Sequence, residues 1–145
     1  MNQVVVSSDV NLRQEIWAGD HTLVADEPHD VGGDGTGPTP YELLLGALGA
    51  CTSMTLILYA RRKKWPLERV EVQLVHDRIH ARDCEECEQT EGYLDKVAKL
   101  IVVSGALTEE QVVRLGEIAE MCPVNRTLHK SMHTTQEIRL APSQE

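Results

Sequence analysis

Apolar and polar positions change period several times along this chain, and each change marks an element. Val4, Val5 and Val6 are β-branched and predict a first strand. Leu12 to Trp17 alternates loosely, Gly19-Asp20 offers a turn, and His21 to Ala25 follows as a partner strand. The beginning of the chain therefore reads as a hairpin or short meander. Residues 26–40, DEPHDVGGDGTGPTP, carry four glycines and three prolines and predict a loop. Thr39 as N-cap, Pro40 at the first helical position and Glu42 at the third spell a capping box. The helix that follows holds no charge from Leu43 to Ala60, so most of its surface is expected to be buried. Its length approaches that of a membrane span, but Gly46, Gly49, Cys51, Thr52, Ser53 and Thr55 dilute it, and it lies between strand-like segments. The expectation is a central core helix, or one packed on the same helix of a second subunit.

After Trp65-Pro66, residues Arg69 to His80 alternate, with Val70, Val72 and Leu74 on one face and Glu71, Gln73 and Val75 on the other. An acidic loop, RDCEECEQTEG, fills residues 82–92. Leu94 to Val103 mixes helical and extended signals, and the closing Ser104-Gly105 favours a strand. Thr108 to Gln111 forms a second capping box ahead of a helix whose apolar stripe is Val112, Leu115, Ile118 and Ala119. Cys122-Pro123 interrupts it, Val124 to Met132 predicts a short further helix, and Thr134 to Leu140 a last strand. Strands and helices in this order predict an α+β fold with antiparallel pairing, in one domain over residues 1–145.

Composition narrows the function classes. Phe is absent and aromatics make up 3%, so the core must be aliphatic. A net charge of -9 repels phosphate backbones and anionic lipid, so neither nucleic acid nor a membrane is an expected partner. The one basic run, Arg61 to Lys64, is explained as cations at a helix C-terminus. The first residues lack a basic segment and an apolar core, which points to a cytoplasmic protein with reduced thiols.

The four cysteines fall into two kinds. Cys84 and Cys87 form a C-x-x-C in the acidic loop; with His80 or His76 they offer half of a zinc site, or a redox pair whose neighbours Glu85, Glu86 and Glu88 oppose a thiolate. Cys122, as N-cap before Pro123, would have its thiolate stabilised by free N–H groups, with Arg126 one turn in to add positive charge. Taken alone, Cys51 reads as a small core residue, though Thr52, Ser53 and Thr55 surround it with hydroxyls. Glu42 is 2.5 turns upstream and on the opposite side, and is accounted for by the capping box.

Two segments, GTGPTPYELLLGALGACTSMTLILYA and the distal MCPVNRTL, resemble the OsmC/Ohr superfamily of osmotically inducible and organic-hydroperoxide-resistance proteins. The resemblance covers nearly the whole chain. It implies an OsmC-like fold in an intertwined homodimer, with long apolar helices at the centre and six-stranded sheets wrapped around them. It also implies a thiol peroxidase of the oxidative stress response. Cys51 matches the peroxidatic cysteine and Cys122 the resolving one, with an organic hydroperoxide as substrate, a dithiol as reductant, and neither metal nor flavin as cofactor. The pattern places a glutamate directly after the helix-start proline, paired with an activating arginine. Here that position is Tyr41, with Glu42 next, and Arg13 is the nearest candidate cation. This departure motivates an alternative: an OsmC-fold redox sensor or small-ligand-binding protein. A third reading is metal binding by His80, Cys84 and Cys87.

Overall fold

The computed structural model describes residues 2–8, 10–80, 83–84, 91–130 and 132–142. Three short strands, β1 (Val4–Ser8), β2 (Gln14–Ala18) and β3 (His21–Ala25), form one antiparallel sheet in sequence order. Gly19, at φ +63°, makes the two-residue turn between β2 and β3. The expected meander is therefore present.

The glycine- and proline-rich loop is organised by Asp26, which is only 2% exposed. Its carboxylate accepts from the Thr36 hydroxyl at 2.6 Å, from the Thr36 N–H at 3.1 Å and from the Glu27 N–H at 2.8 Å. The Thr36 hydroxyl bond, with these backbone donors, outweighs burial and holds the carboxyl below its ordinary range. Gly33 and Gly37 lie against the carbonyls of Glu27 and Val24, so a side chain at either would collide with backbone. The loop is thus a fixed approach to the central helix.

That helix, α1 (Pro40–Lys63), begins with both bonds of the capping box, Glu42 N–H to Thr39 Oγ1 and Thr39 N–H to Glu42 Oε2, each 3.2 Å. It ends with Lys64 in the left-handed region after Arg61, Arg62 and Lys63, as the basic run suggested. Next come β4 (Leu67–His80) and β5 (Tyr93–Gly105), a long antiparallel pair, then α2 (Glu109–Ala119) and α3 (Pro123–His129). The second capping box, on Thr108 and Gln111, is also complete. β4 keeps the predicted alternation, with Val70, Val72 and Leu74 half-buried and Glu71, Gln73 and Val75 exposed.

The core lies where α1 meets α2 and the β4–β5 pair. Leu56, Tyr59, Leu115, Ile118 and Ala119 are buried together, with Trp65, Leu67, Val70, Ile101, Val103 and Leu107 packed around them. Gly49 lets α1 approach β4, since a Cβ there would come within 2.8 Å of Leu74 Cδ1. The arrangement is α+β, as predicted.

Two expectations, the last strand and the end of the last helix, need correction, and within one chain the cover of α1 is partial. The chain buries only one side of α1: Leu48, Thr52, Leu56 and Tyr59 are covered, whereas Leu44, Met54 and Leu58 are 41%, 62% and 63% exposed. The helix is long and apolar enough to cross a membrane, but β4, α2 and α3 pack against it as against a core helix. Residues 132–142 form no strand, since they pair with neither sheet among the described residues, and Ile138 and Leu140 stand almost fully in solvent. The helix expected to reach Met132 stops at His129. Among the described residues of the single chain the strands form a three-stranded and a two-stranded sheet.

Candidate active site

The site is built where the middle of α1 meets the start of α3. Residues that precede proline favour extended backbone, and Cys122 takes φ -60°, ψ 139° ahead of Pro123, which makes it the N-cap of α3. Its sulfur accepts from the Asn125 N–H at 3.3 Å. The Thr52 hydroxyl of α1 donates to the Leu48 carbonyl at 2.9 Å and lies 3.6 Å from the same sulfur, a contact in which either group can donate. The Cys51 side chain is near enough to help stabilise the Cys122 thiolate. Two cysteines far apart in sequence are thereby brought together, both as free thiols, with Cys51 half-buried and Cys122 fully buried.

Burial is the largest influence on the Cys122 thiol and pushes it up. The Asn125 N–H, the Thr52 hydroxyl, the Cys51 thiol and the charge of Lys99 together outweigh burial and leave it below its ordinary value. The expected N-cap effect is present, but the cation differs from the one expected. Arg126 turns into an open groove on the far side, with Val113, Gly116, Glu117, Glu120 and Met121. Lys99 comes instead from β5, with its Nζ 3.4 Å from Asn125 Oδ1.

A cavity of about 430 Å³ adjoins Lys99 and Asn125, and is lined also by Tyr41, Leu44, Leu48, His76, Asp95, Val97, Leu128 and His129. Helical spacing explains the α1 contribution: residues 41, 44, 48 and 51 fall on one face, so the cavity runs along α1 toward Cys51. The apolar α1 side chains that line it are Leu44 and Leu48, whereas Met54 of the same helix is exposed. The Tyr41 ring stacks on His76 at 4.4 Å between centroids, and His76 Nε2 lies 2.8 Å from Asp95 Oδ1.

The two supporting candidates do not join the thiols. Glu42 is engaged in the capping box and lies roughly 13 Å along the axis from Cys51, on the opposite face of α1. Arg13 pairs with Glu15 at 3.3 Å beside the N-terminal sheet. Sequence reading also missed Asn125, His76 with Asp95, and Lys99 as parts of this site. Lys99 carried a signal, since it shares strand parity with half-buried Ile101 and Val103. A lysine on the inward face of a strand is uncommon without a role there.

For the metal reading, Cys87 lies outside the described residues, Cys84 is disulfide-bonded, and no three His, Cys, Asp or Glu side chains among the described residues are grouped to hold an ion. A disulfide sulfur is not a thiolate ligand.

The sequence profile of the OsmC-like protein family matches residues 33–137, a span that begins in the loop and holds both free thiols. The chain belongs to the OsmC-like family. No curated protein sequence matches it. Among solved structures of the family, the OsmC-like protein of Mycoplasma pneumoniae superposes with a TM-score of 0.70 at 15% identity, over 89% of this chain and 87% of that one. The organic hydroperoxide resistance protein OsmC of Legionella pneumophila gives 0.64 at 20% identity, over 88% of each chain. The organic hydroperoxide resistance protein OhrB of Bacillus subtilis gives 0.58 at 18% identity, over 87% of this chain and 88% of that one. These likenesses establish the OsmC fold in this chain.

Proposed function

We propose that this OsmC-like protein is a thiol-dependent peroxidase for organic hydroperoxides, with Cys51 as nucleophile and Cys122 as resolving thiol. The observation that carries the reading is two free thiols brought together near a partly apolar cavity. Cys51 is the more accessible of the two residues, so the peroxide meets it first. Its thiolate attacks the distal peroxide oxygen, the O–O bond breaks, and Cys51 keeps that oxygen and its hydrogen as a sulfenic acid. The alkoxide leaves and takes up a proton, for which His76, oriented by Asp95, is the donor we favour. The Cys122 thiolate then attacks the Cys51 sulfur and expels hydroxide, which is protonated to water, and a disulfide forms. A dithiol reopens it by attack on Cys51, with Cys122 leaving as the stabilised thiolate, since the thiol that ionises more readily leaves faster.

We place the working unit as a homodimer. Leu44, Met54 and Leu58 form an exposed apolar stripe on α1, and Ile138 and Leu140 are bare on an unpaired segment. A second copy would cover both.

Purified protein mixed with cumene hydroperoxide and a dithiol should consume peroxide catalytically, many equivalents per chain, and more slowly with a monothiol reductant. Consumption no faster than the dithiol alone would reject the reading. Tyr41 favours one alternative, because an aromatic ring stacked on His76 stands where the family pattern has an acid. A redox sensor or ligand-binding protein would oxidise once per chain and turn over no further.

A further inference from the structure

We propose that Lys99 is the positioning residue of the thiol pair: its ammonium fixes Asn125 in place and supplies positive charge to the Cys122 sulfur. Lys99 sits opposite Leu74 in the β4–β5 pair, half-buried on the strand parity that faces α1. Its Nζ donates to Asn125 Oδ1 at 3.4 Å. The other end of that amide, Nδ2, donates to the Glu120 carbonyl at 2.9 Å, so the amide is held at both ends and its orientation is set. The backbone N–H of the same Asn125 donates to Cys122 Sγ at 3.3 Å. A chain of contacts therefore runs from the ammonium through one asparagine to the sulfur. It links β5 to the first turn of α3.

The other groups around the thiol do not duplicate this cation. On α1 the neighbours are Cys51 and the neutral Thr52. Across the cavity, Asp95 and His76 bind each other at 2.8 Å, and His129 lines the rim on α3. Arg126 lines the opposite groove. Lys99 is thus the cation that acts on Cys122, the thiol read as the resolving one. Its catalytic consequence rests on the peroxidase reading; its effect on the thiol does not.

The test is a pH titration of thiolate ultraviolet absorbance, with Cys122→Ser as the blank that isolates Cys122, in the absence of peroxide. Lys99→Gln should lower the Cys122 thiolate fraction at neutral pH by about tenfold, moving the titration to higher pH. Lys99→Arg should restore most of it. An unchanged titration in Lys99→Gln, or Arg and Gln variants shifted alike, would overturn the proposal. So would loss of the native circular dichroism in both Lys99→Gln and Lys99→Met, which would make Lys99 a folding residue. A Lys99-dependent titration in a protein that turns over no peroxide would reject the peroxidase reading and leave this inference standing.

Discussion

Cys51→Ser should consume cumene hydroperoxide at least about a thousandfold more slowly than the parent protein, at the level of the reductant alone. A serine hydroxyl keeps its proton at neutral pH and is a poor nucleophile toward a peroxide oxygen, whereas a thiol can give it up. The loss should lie in the rate and not in the fold, because Cys51 is half-buried and serine is nearly its size. A coupled peroxide assay, run with circular dichroism on the same sample, checks both halves. The remaining thiol is a poor substitute, because Cys122 is fully buried. A Cys51→Ser protein as fast as the parent would remove Cys51 from the chemistry.

The largest effect on stability is expected at Leu56. It is fully buried between α1 and α2, in contact with the cluster of Tyr59, Leu115, Ile118 and Ala119. Leu56→Ala removes three carbons and leaves a cavity that two helices and a sheet cannot easily close, at a cost of about 2–5 kcal/mol. Against a typical stability of about 5–15 kcal/mol, that is a large fraction of the whole. Urea unfolding should show a lower midpoint with an unchanged slope. With few aromatics and no Phe to fill the gap, the upper half of the range is expected. A midpoint within experimental scatter of the parent would mean that the core lies elsewhere.

The elements with strong local chemistry were legible in the sequence. Thr39 with Glu42 and Thr108 with Gln111 set two helix starts, and both capping boxes form as read. The strict alternation in β4 gave its inward face correctly. The C-terminal segment was misread because alternation predicts a strand but not an edge to pair with, and the single chain offers none beside it. The apolar length of α1 called for cover by the core or by a second subunit. Hydrophobicity states a demand for cover, and the chain meets it on one side only.

The two thiols of the site were legible in the sequence, and their environment was not. Cys122 before Pro123 announced an N-cap thiol, and the family resemblance brought in Cys51. The contact between them depends on how α1 crosses the start of α3, which no local period encodes. Glu42 was correctly assigned to the capping box from its place on the helix, and Arg13 proved to belong to an ion pair at the N-terminal sheet. The cation came instead from a strand whose segment mixed helical and extended signals. Once β5 is known to be extended, the parity of Lys99 with Ile101 and Val103 points it inward.

The central claim is that Cys51 and Cys122 form one redox unit. Its most direct test is peptide mapping and intact mass after one equivalent of cumene hydroperoxide, without reductant. The account predicts the loss of two hydrogens per chain, with a Cys51–Cys122 disulfide recovered in the digest. In Cys122→Ser the same treatment should instead add one oxygen, on Cys51. Parent protein that retains both free thiols, or that carries the oxygen on Cys51 beside an unreacted Cys122, would contradict it.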